Sequence, residues 1–143
     1  MGILDVLKIS ASGLRAQRTR MEAVATNLAN VHTTRTEEGG PFRKKEVVFI
    51  PSDVSETKGF RASLDQMVEG VKVEDIVESP KQFERTYDPF HPDADPEGYV
   101  TLPNVNLMEE MADMVAATRA YEANITVING TKDMFIKSLE IGK

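Results

Sequence analysis

Residues 104–143 read NVNLMEEMADMVAATRAYEANITVINGTKDMFIKSLEIGK, and this stretch decides the fold because its apolar residues follow a coiled-coil spacing. One row recurs at every seventh position, and a second row falls four residues after it, as in a helix seam. The first row is Leu107, Met114, Tyr121, Ile128 and Phe135, and the second is Met111, Thr118, Ile125, Lys132 and Leu139. The pattern predicts one long amphipathic helix.

The ends of this helix carry capping signals. Asn106 is a candidate N-cap, and Glu109 is placed to complete a capping box. Gly142 can supply the left-handed residue that ends the helix. A helix of this length measures roughly 50 Å, which is longer than a compact domain of this size. We therefore expect it to pack on another helix, from the same chain or from a neighbouring copy.

Polar and flexible residues interrupt the seam. Thr118 and Lys132 occupy apolar positions, and Gly130 lies in the helix interior, where glycine costs about 1 kcal/mol relative to alanine. The Asn129–Gly130 pair is a common turn signal, so one interpretation is a helix break there. The alternative is close helix packing at Gly130.

The first thirty residues predict a second amphipathic helix that ends near Asn30. Its alanines keep much of the surface small, which lets other helices approach closely. Gly13 is a weak point, so the helix can start afresh with Ser12 as its cap. Its heptad rows are Leu7, Leu14, Met21 and Leu28, and Leu4, Ala11, Arg18 and Ala25.

The middle of the chain changes to strand periodicity, so the expected fold class is α+β. We expect one helical coiled-coil domain from residues 1–31 and 104–143, with a small β-rich domain at 32–103. Alternating apolar runs between prolines and glycines predict its strands, whereas the polar segment 52–67 predicts a loop and the three prolines of 88–98 exclude regular structure. The predicted strands are 42–50, 70–78, 83–87 and 99–102.

Composition limits the possible functions. The chain has 143 residues and no cysteine, which excludes disulfides, thiolate metal sites and cysteine nucleophiles. The net charge is −6, although residues 1–31 hold four basic and two acidic side chains. Together with the shortness of the basic triplet Arg43-Lys44-Lys45, this acidity argues against nucleic-acid binding. No apolar run approaches the ~20 residues of a membrane span, and the N-terminus lacks signal-peptide features.

The sequence shows no recognisable catalytic, cofactor or metal site. His32 and His91 lie in polar loops without spaced partners, and residues 39–41 lack the lysine of a phosphate loop. Asp93, Asp95 and Glu97 imitate the start of a calcium loop, but no bidentate glutamate follows at the required place. We interpret them as an acidic, solvated turn and predict no catalytic residues, no cofactor and no metal.

Short motifs at both ends resemble the flagellar rod and hook axial proteins. The N-terminal motifs are SASGLRAQ at 10–17, with Met21, and NLAN at 27–30, and the C-terminal motifs are YEAN at 121–124 and LEIG at 139–142. Three further stretches resemble the proximal rod members of this family: GGPFRK at 39–44, YDPFHPDAD at 87–95 and GYVTLPNVN at 98–106. The short chain also fits these members better than the longer distal rod or hook proteins.

The resemblance implies a structural subunit of the basal-body rod. Its terminal helices would form the inner layer of a tubular shaft, together with copies of itself and with other rod proteins. It also implies export through the flagellar type III apparatus to the periplasmic rod. The residues expected to pack between subunits are Leu7, Leu14, Met21, Asn27, Leu28, Asn30, Leu107, Met111, Met114, Tyr121, Asn124, Ile125, Ile128, Phe135 and Leu139.

Two other classes of function remain open on the residues alone. One is a helical adaptor that binds a single partner helix, and it would be a stable monomer or small dimer. The other is an enzyme whose site forms between subunits, which would require a clustered acid and base that the sequence does not display.

Overall fold

The computed structural model describes residues 2–53 and 69–141 of the chain. Within them, two long helices flank four strands, which form two separate two-stranded antiparallel sheets. The elements are α1 (Ile3–Ala29), β1 (Lys45–Asp53), β2 (Glu69–Glu78), β3 (Glu84–Tyr87), β4 (Tyr99–Leu102) and α2 (Leu107–Ile141). The predicted α+β class is confirmed.

Helices α1 and α2 pack against each other in opposite directions. Arg20 of α1 lies 2.8 Å from the Asp113 carboxylate of α2. Gly13, two turns earlier on α1, faces Asn124, three turns later on α2. The helices contain 27 and 35 residues, which correspond to about 40 and 52 Å at 1.5 Å per residue. Helix α1 is therefore the partner that the sequence predicted for the long helix α2. Helix α2 is the longer of the two.

The start of α2 follows the predicted cap. The Asn106 Oδ1 atom accepts hydrogen bonds from the backbone N–H of Met108 at 2.9 Å and of Glu109 at 3.3 Å. A capping box would also need the Glu109 carboxylate to accept from the Asn106 N–H. Among the described residues this bond is not formed, and the carboxylate lies 3.8 Å from Lys81 Nζ instead. The Asn106 side chain therefore satisfies two of the free N–H groups of the first turn, those of Met108 and Glu109.

Neither helix breaks at its internal glycine. Helix α2 continues through Gly130, and among the described residues no neighbouring atom lies within 4 Å of the position that a Cβ would take there. Both interpretations of Gly130, a break and close packing, are therefore wrong within one subunit. Helix α1 likewise continues through Gly13, and Ser12 donates to the Ile9 carbonyl at 2.6 Å instead of starting a new helix. The predicted C-cap, Gly142, lies outside the described residues.

The sheet formed by β1 and β2 lies against α1 and contains one bulge. Val48 is opposite Asp75 and Phe49 is opposite Val73, so Glu74 is an extra residue in β2. The bulge separates two stretches of regular pairing, which together run from Lys45 opposite Glu78 to Asp53 opposite Glu69.

All four predicted strands are present, but the bounds of the first strand differ from the prediction. Strand β1 begins at Lys45 rather than at residue 42, because the Phe42 N–H bonds to the Thr33 carbonyl at 3.0 Å in a loop contact. Its end includes Ser52 and Asp53, which were predicted to start the loop, and residues 54–67 of that loop lie outside the described residues. The other predicted strands match β2, β3 and β4 to within one residue.

Close approach of the helices depends on Gly13. A Cβ at this position would lie 3.1 Å from both Nδ2 and Oδ1 of Asn124. That amide is held in place by its own hydrogen bond to the Ala120 carbonyl at 2.9 Å. An added side chain would therefore push against a fixed group.

This contrast between two helical glycines is testable with matched substitutions. Gly130→Ala is expected to raise the free energy of unfolding by about 1 kcal/mol, because alanine favours the helix and meets nothing there. Gly13→Ala receives the same benefit from helix propensity but crowds Asn124, so its net gain should be clearly smaller or negative. Urea unfolding of both purified variants measures the difference. Equal gains at the two positions would contradict the close packing at Gly13.

Candidate assembly surface

The most buried positions of α2 form a row that the apolar pattern did not predict. They are Glu110, Ala117 and Thr131, and the half-buried Asn124 completes a row in which small or polar residues recur every seventh position. This row lies between the α2 residues that contact α1. These residues do follow a heptad spacing in the sequence. A search for apolar repeats misses them, because alanine is the only apolar residue among them.

The predicted packing residues lie beside this row or face solvent. On α1, one predicted row is half-buried: Leu7, Leu14, Met21 and Leu28. On α2, the middle of the first row is also half-buried and its ends are exposed: Leu107, Met114, Tyr121, Ile128 and Phe135. The whole second row is exposed: Met111, Thr118, Ile125, Lys132 and Leu139. A hydrogen bond joins the two helices' predicted rows, from the Thr118 hydroxyl to Met21 Sδ at 3.7 Å.

The three predicted asparagines all make specific contacts within the subunit. Asn30 caps α1, since its Nδ2 donates to the Thr26 carbonyl at 2.9 Å. Asn124 lies at the close contact with Gly13. Asn27 is buried and bonds both backbone groups of Lys45, each at 2.9 Å. These contacts agree with the predicted capping and packing roles, and a role between subunits stays a prediction.

A buried charged cluster joins both helices to the start of β1. The Glu110 carboxylate is fully buried, and its Oε2 accepts a hydrogen bond from Asn27 Nδ2 at 2.9 Å. Its Oε1 lies 2.6 Å from Lys44 Nζ, and only 11% of the Lys44 side chain is exposed. Three parts of the chain thus meet at one carboxylate.

The ion pair with Glu110 favours the charged form of Lys44. Burial alone lowers the pKa of Lys44, but contact with the Glu110 carboxylate, and weaker attraction to Glu46 and Glu109, more than offset it and raise the pKa above 10.5. Lys44 is therefore charged at neutral pH. Sequence analysis counted Lys44 only as part of a short basic run, because its partner is far away along the chain.

The acidic loop of residues 88–98 is organised by hydrogen bonds within the chain. Asp95 Oδ1 accepts from the backbone N–H of Tyr99 at 2.9 Å and of Glu97 at 3.0 Å, and Oδ2 pairs with Arg85. The Tyr99 bond is the largest cause of a lowered Asp95 pKa, which desolvation opposes and the Glu97 and Arg85 contacts reinforce. Asp93 accepts from the Thr34 hydroxyl at 2.7 Å. These carboxylates stabilise a loop that the sequence predicted only as an acidic turn.

The two histidines also lie in loops, as predicted, but only one of them is solvent-exposed. His32 is exposed, whereas His91 is half-buried and its Nδ1 accepts from the Asp93 N–H at 3.1 Å. Within residues 2–53 and 69–141, no group of three His, Asp or Glu side chains is placed to hold a metal ion.

Two family models match the ends of the chain. Residues 7–35 match the model described as flagella basal body rod protein, and residues 97–141 match the model of the C-terminal region of the flagellar basal body rod FlgEFG proteins. Full-length relatives carry the name flagellar basal-body rod protein FlgC. The chain is 44% identical to the relative from Borreliella burgdorferi, an alignment that covers 99% of this chain and 98% of the relative. The FlgC family therefore includes this chain.

Relatives of the same name come from two further bacteria. Identity is 46% with the Bacillus subtilis relative over 96% of both chains, and 41% with the Aquifex aeolicus relative over 100% of this chain and 99% of that one. As a member of the FlgC family, the chain is a structural subunit of the proximal rod of the flagellar basal body. Neither described helix has an 18-residue window that is apolar enough for membrane crossing.

The buried ion pair should stabilise the FlgC-type subunit only as a pair. Lys44→Met leaves the Glu110 carboxylate buried without its cation, so the free energy of unfolding should fall by about 3–5 kcal/mol. The double variant Lys44→Met/Glu110→Leu removes both charges and should recover most of that loss. Urea unfolding of the single and double variants tests this. A double variant as unstable as Lys44→Met would show that the cluster does not act through its charges.

The same pair predicts a dependence on alkaline pH. Because the pKa of Lys44 is raised above 10.5, the ion pair contributes fully below that pH and is lost as the pH rises through the raised value. The stability difference between the wild type and Lys44→Met should therefore be constant near neutral pH and shrink in strongly alkaline solution. Unfolding curves across this range provide the measurement. A difference that stays constant to the highest pH would exclude the raised pKa.

Proposed function

We propose that this subunit polymerises with copies of itself and with other rod proteins as a segment of a tubular shaft that transmits motor torque and encloses the export channel. The observation that supports this most directly is the exposed apolar row of α2. Its members Met111, Ile125 and Leu139 are 52%, 38% and 58% exposed in the single subunit. Exposed apolar surface of this extent marks an interaction site.

The end of α2 adds to this surface. After Thr131, every described residue of α2 is exposed, including Met134, Phe135 and Ile136. Helix α2 is longer than its partner, because it has 35 residues and α1 has 27. The end of α2 therefore needs contacts from other subunits to bury its apolar side chains.

In this proposal the two helices form the inner layer of the shaft, and the strands between them form an outer layer. The partners are neighbouring proximal and distal rod subunits, the adaptor at the export gate and the type III export apparatus that delivers the chain. The assembled rod lies in the periplasmic space, and the subunit acts without catalysis, cofactor or metal. The relatives are named as basal-body rod proteins, and these names support assembly into the rod.

A charge on the exposed row should block assembly without unfolding the subunit. Leu139→Asp is expected to change the free energy of unfolding by less than about 0.5 kcal/mol, because the side chain is exposed. Burying the same carboxylate between subunits costs on the order of several kcal/mol, so motility should be lost. The measurements are thermal unfolding of the purified subunit and swimming of a strain that carries only this variant.

The matched control is Asn129→Asp, which adds the same charge at an exposed polar position of the same helix. It should leave both stability and swimming close to the wild type. A strain with Leu139→Asp that swims normally would contradict the proposed packing surface.

The helices should also become more protected when the rod forms. Hydrogen exchange at 3–30 and 107–139 is expected to be fast in the dilute monomer and slow in isolated rods, because assembly buries the apolar rows. The residues of β1 from Val47 to Ile50 should be protected in both states. Strong protection of both helices in the monomer would favour the adaptor function instead.

A further inference from the structure

Phe90 is the most exposed aromatic side chain in the described part of the chain. It is 96% exposed at the tip of the 88–98 loop. The backbone that carries the ring is held in place, since the Phe90 N–H donates to Asp88 Oδ1 at 3.2 Å and the Asp88 N–H donates to the Gly98 carbonyl at 2.9 Å. Gly98 has φ +82, and a Cβ there would lie 2.9 Å from the Tyr87 ring. The loop therefore holds a phenyl ring in water on a fixed backbone.

The surroundings of this ring are acidic. Residues 88–98 contain four carboxylates and no lysine or arginine. Asp93 and Asp95 bond to other side chains of the subunit, and Asp88 accepts from the Phe90 N–H, while the side chains of Asp88, Asp93 and Glu97 are all exposed. We call residues 88–98 the acidic aromatic loop. A partner for it must offer an apolar surface with a basic rim.

The same chain contains such a surface between α1 and the β1–β2 sheet. A groove of about 410 Å³ is lined there by Ala16, Val71 and Val73, with Arg15 and Lys72 at its rim. The described residues that line this groove, here named the basic groove, include no acidic side chain. Its wall is fixed, because the Val71 N–H donates to the Ser12 hydroxyl at 3.1 Å. Its volume is within the range of about 300–1,000 Å³ that is typical of pockets for small organic groups.

We propose that the acidic aromatic loop of one subunit inserts Phe90 into the basic groove of a second copy of this chain. This inference rests on the proposed polymerisation and adds one specific contact to it. Charge complementarity selects the pairing, since carboxylates around the ring meet Arg15 and Lys72 at the rim. An aromatic anchor held rigidly loses little conformational entropy when it binds.

The two surfaces lie too far apart for this contact to form within one subunit. The loop is tied by Asp93 to Thr34, beyond the end of α1 at Ala29, whereas the groove lies beside Ala16. Thirteen residues of helix separate Ala16 from Ala29, or roughly 20 Å. Because the loop and the groove are different patches, the contact is heterologous, and its repetition builds a ring or a helical array rather than a closed pair.

A photo-crosslinking experiment tests the contact in assembled rods. The analogue p-benzoylphenylalanine replaces Phe90 in a strain whose own copy of the gene is deleted, and isolated basal bodies are irradiated. The expected product has the mass of two copies of this chain, with the adduct in 12–19 or 69–78. The same protein irradiated as a dilute monomer should give at least tenfold less of this product.

The same analogue at Phe135 serves as the control, because Phe135 belongs to the helical surface of the proposed function. Adducts from Phe135 but none from Phe90 would overturn this inference and leave the proposed polymerisation intact. An adduct from Phe90 to a different rod protein, or to α2 of a second copy, would also overturn it. Failure to form basal bodies with the wild-type protein would instead refute the proposed function.

Charge reversal gives a second, independent test. Lys72→Glu should reduce the Phe90 adduct severalfold, because the rim then repels the carboxylates of the loop. Adding Glu97→Lys to the same chain restores opposite charges between copies and should recover the adduct. Arg119→Glu, at an exposed position of α2 outside both predicted rows, controls for the change in net charge and should leave the Phe90 adduct unchanged. A loss that Glu97→Lys does not repair would contradict the proposed pairing of rim and loop.

Discussion

The fold of this subunit depends on one buried carboxylate. Glu110 lies on α2, Asn27 on α1 and Lys44 just before β1, and all three meet within hydrogen-bond distance. Asn27 also bonds the backbone of Lys45 on both its N–H and its carbonyl. A displacement of either helix, or of the sheet, would leave a buried charge or a buried amide without partners, which is far more costly than losing an apolar contact. The cluster therefore fixes how three elements fit together, and apolar packing fills the space around it.

This division of roles explains why the two helices bury so little of their own apolar surface. The inner face of α2 is small and polar, whereas its outer rows carry the larger apolar side chains. An ordinary monomeric domain has the opposite arrangement, with large apolar residues inside. A subunit that takes its place in a rod has two sets of contacts to satisfy. Hydrogen bonds specify the inner set, and the exposed apolar rows are the surface that we propose for the outer one.

Local sequence patterns were sufficient for the helices, the Asn106 cap and most of the strands. Asn106 could be recognised as an N-cap, and Tyr99–Leu102 as a strand, because each depends on neighbouring residues alone. The partner of Lys44 could not be found in this way, since an ion pair between distant residues leaves no local pattern. For the same reason, the importance of Gly13 and the openness around Gly130 could be distinguished only once Asn124 was located. The exposed apolar rows were recognised from sequence, but the sequence did not show which row would face the partner helix within the chain.

The bulge in β2 has a consequence for which side chains reach α1. Residues directly opposite each other in an antiparallel pair share a face, so Phe49 with Val73 and Val47 with Ile76 lie on the same side of the sheet. Strict alternation after Val73 would have turned Asp75 toward the helix and Ile76 toward water. The bulge at Glu74 shifts the phase of the strand by one position, so Ile76 stays on the same face as Val73, beside α1. Deletion of Glu74 should therefore be tolerated better than most deletions in a strand, because the remaining residues pair regularly and Val73 and Ile76 still share one face.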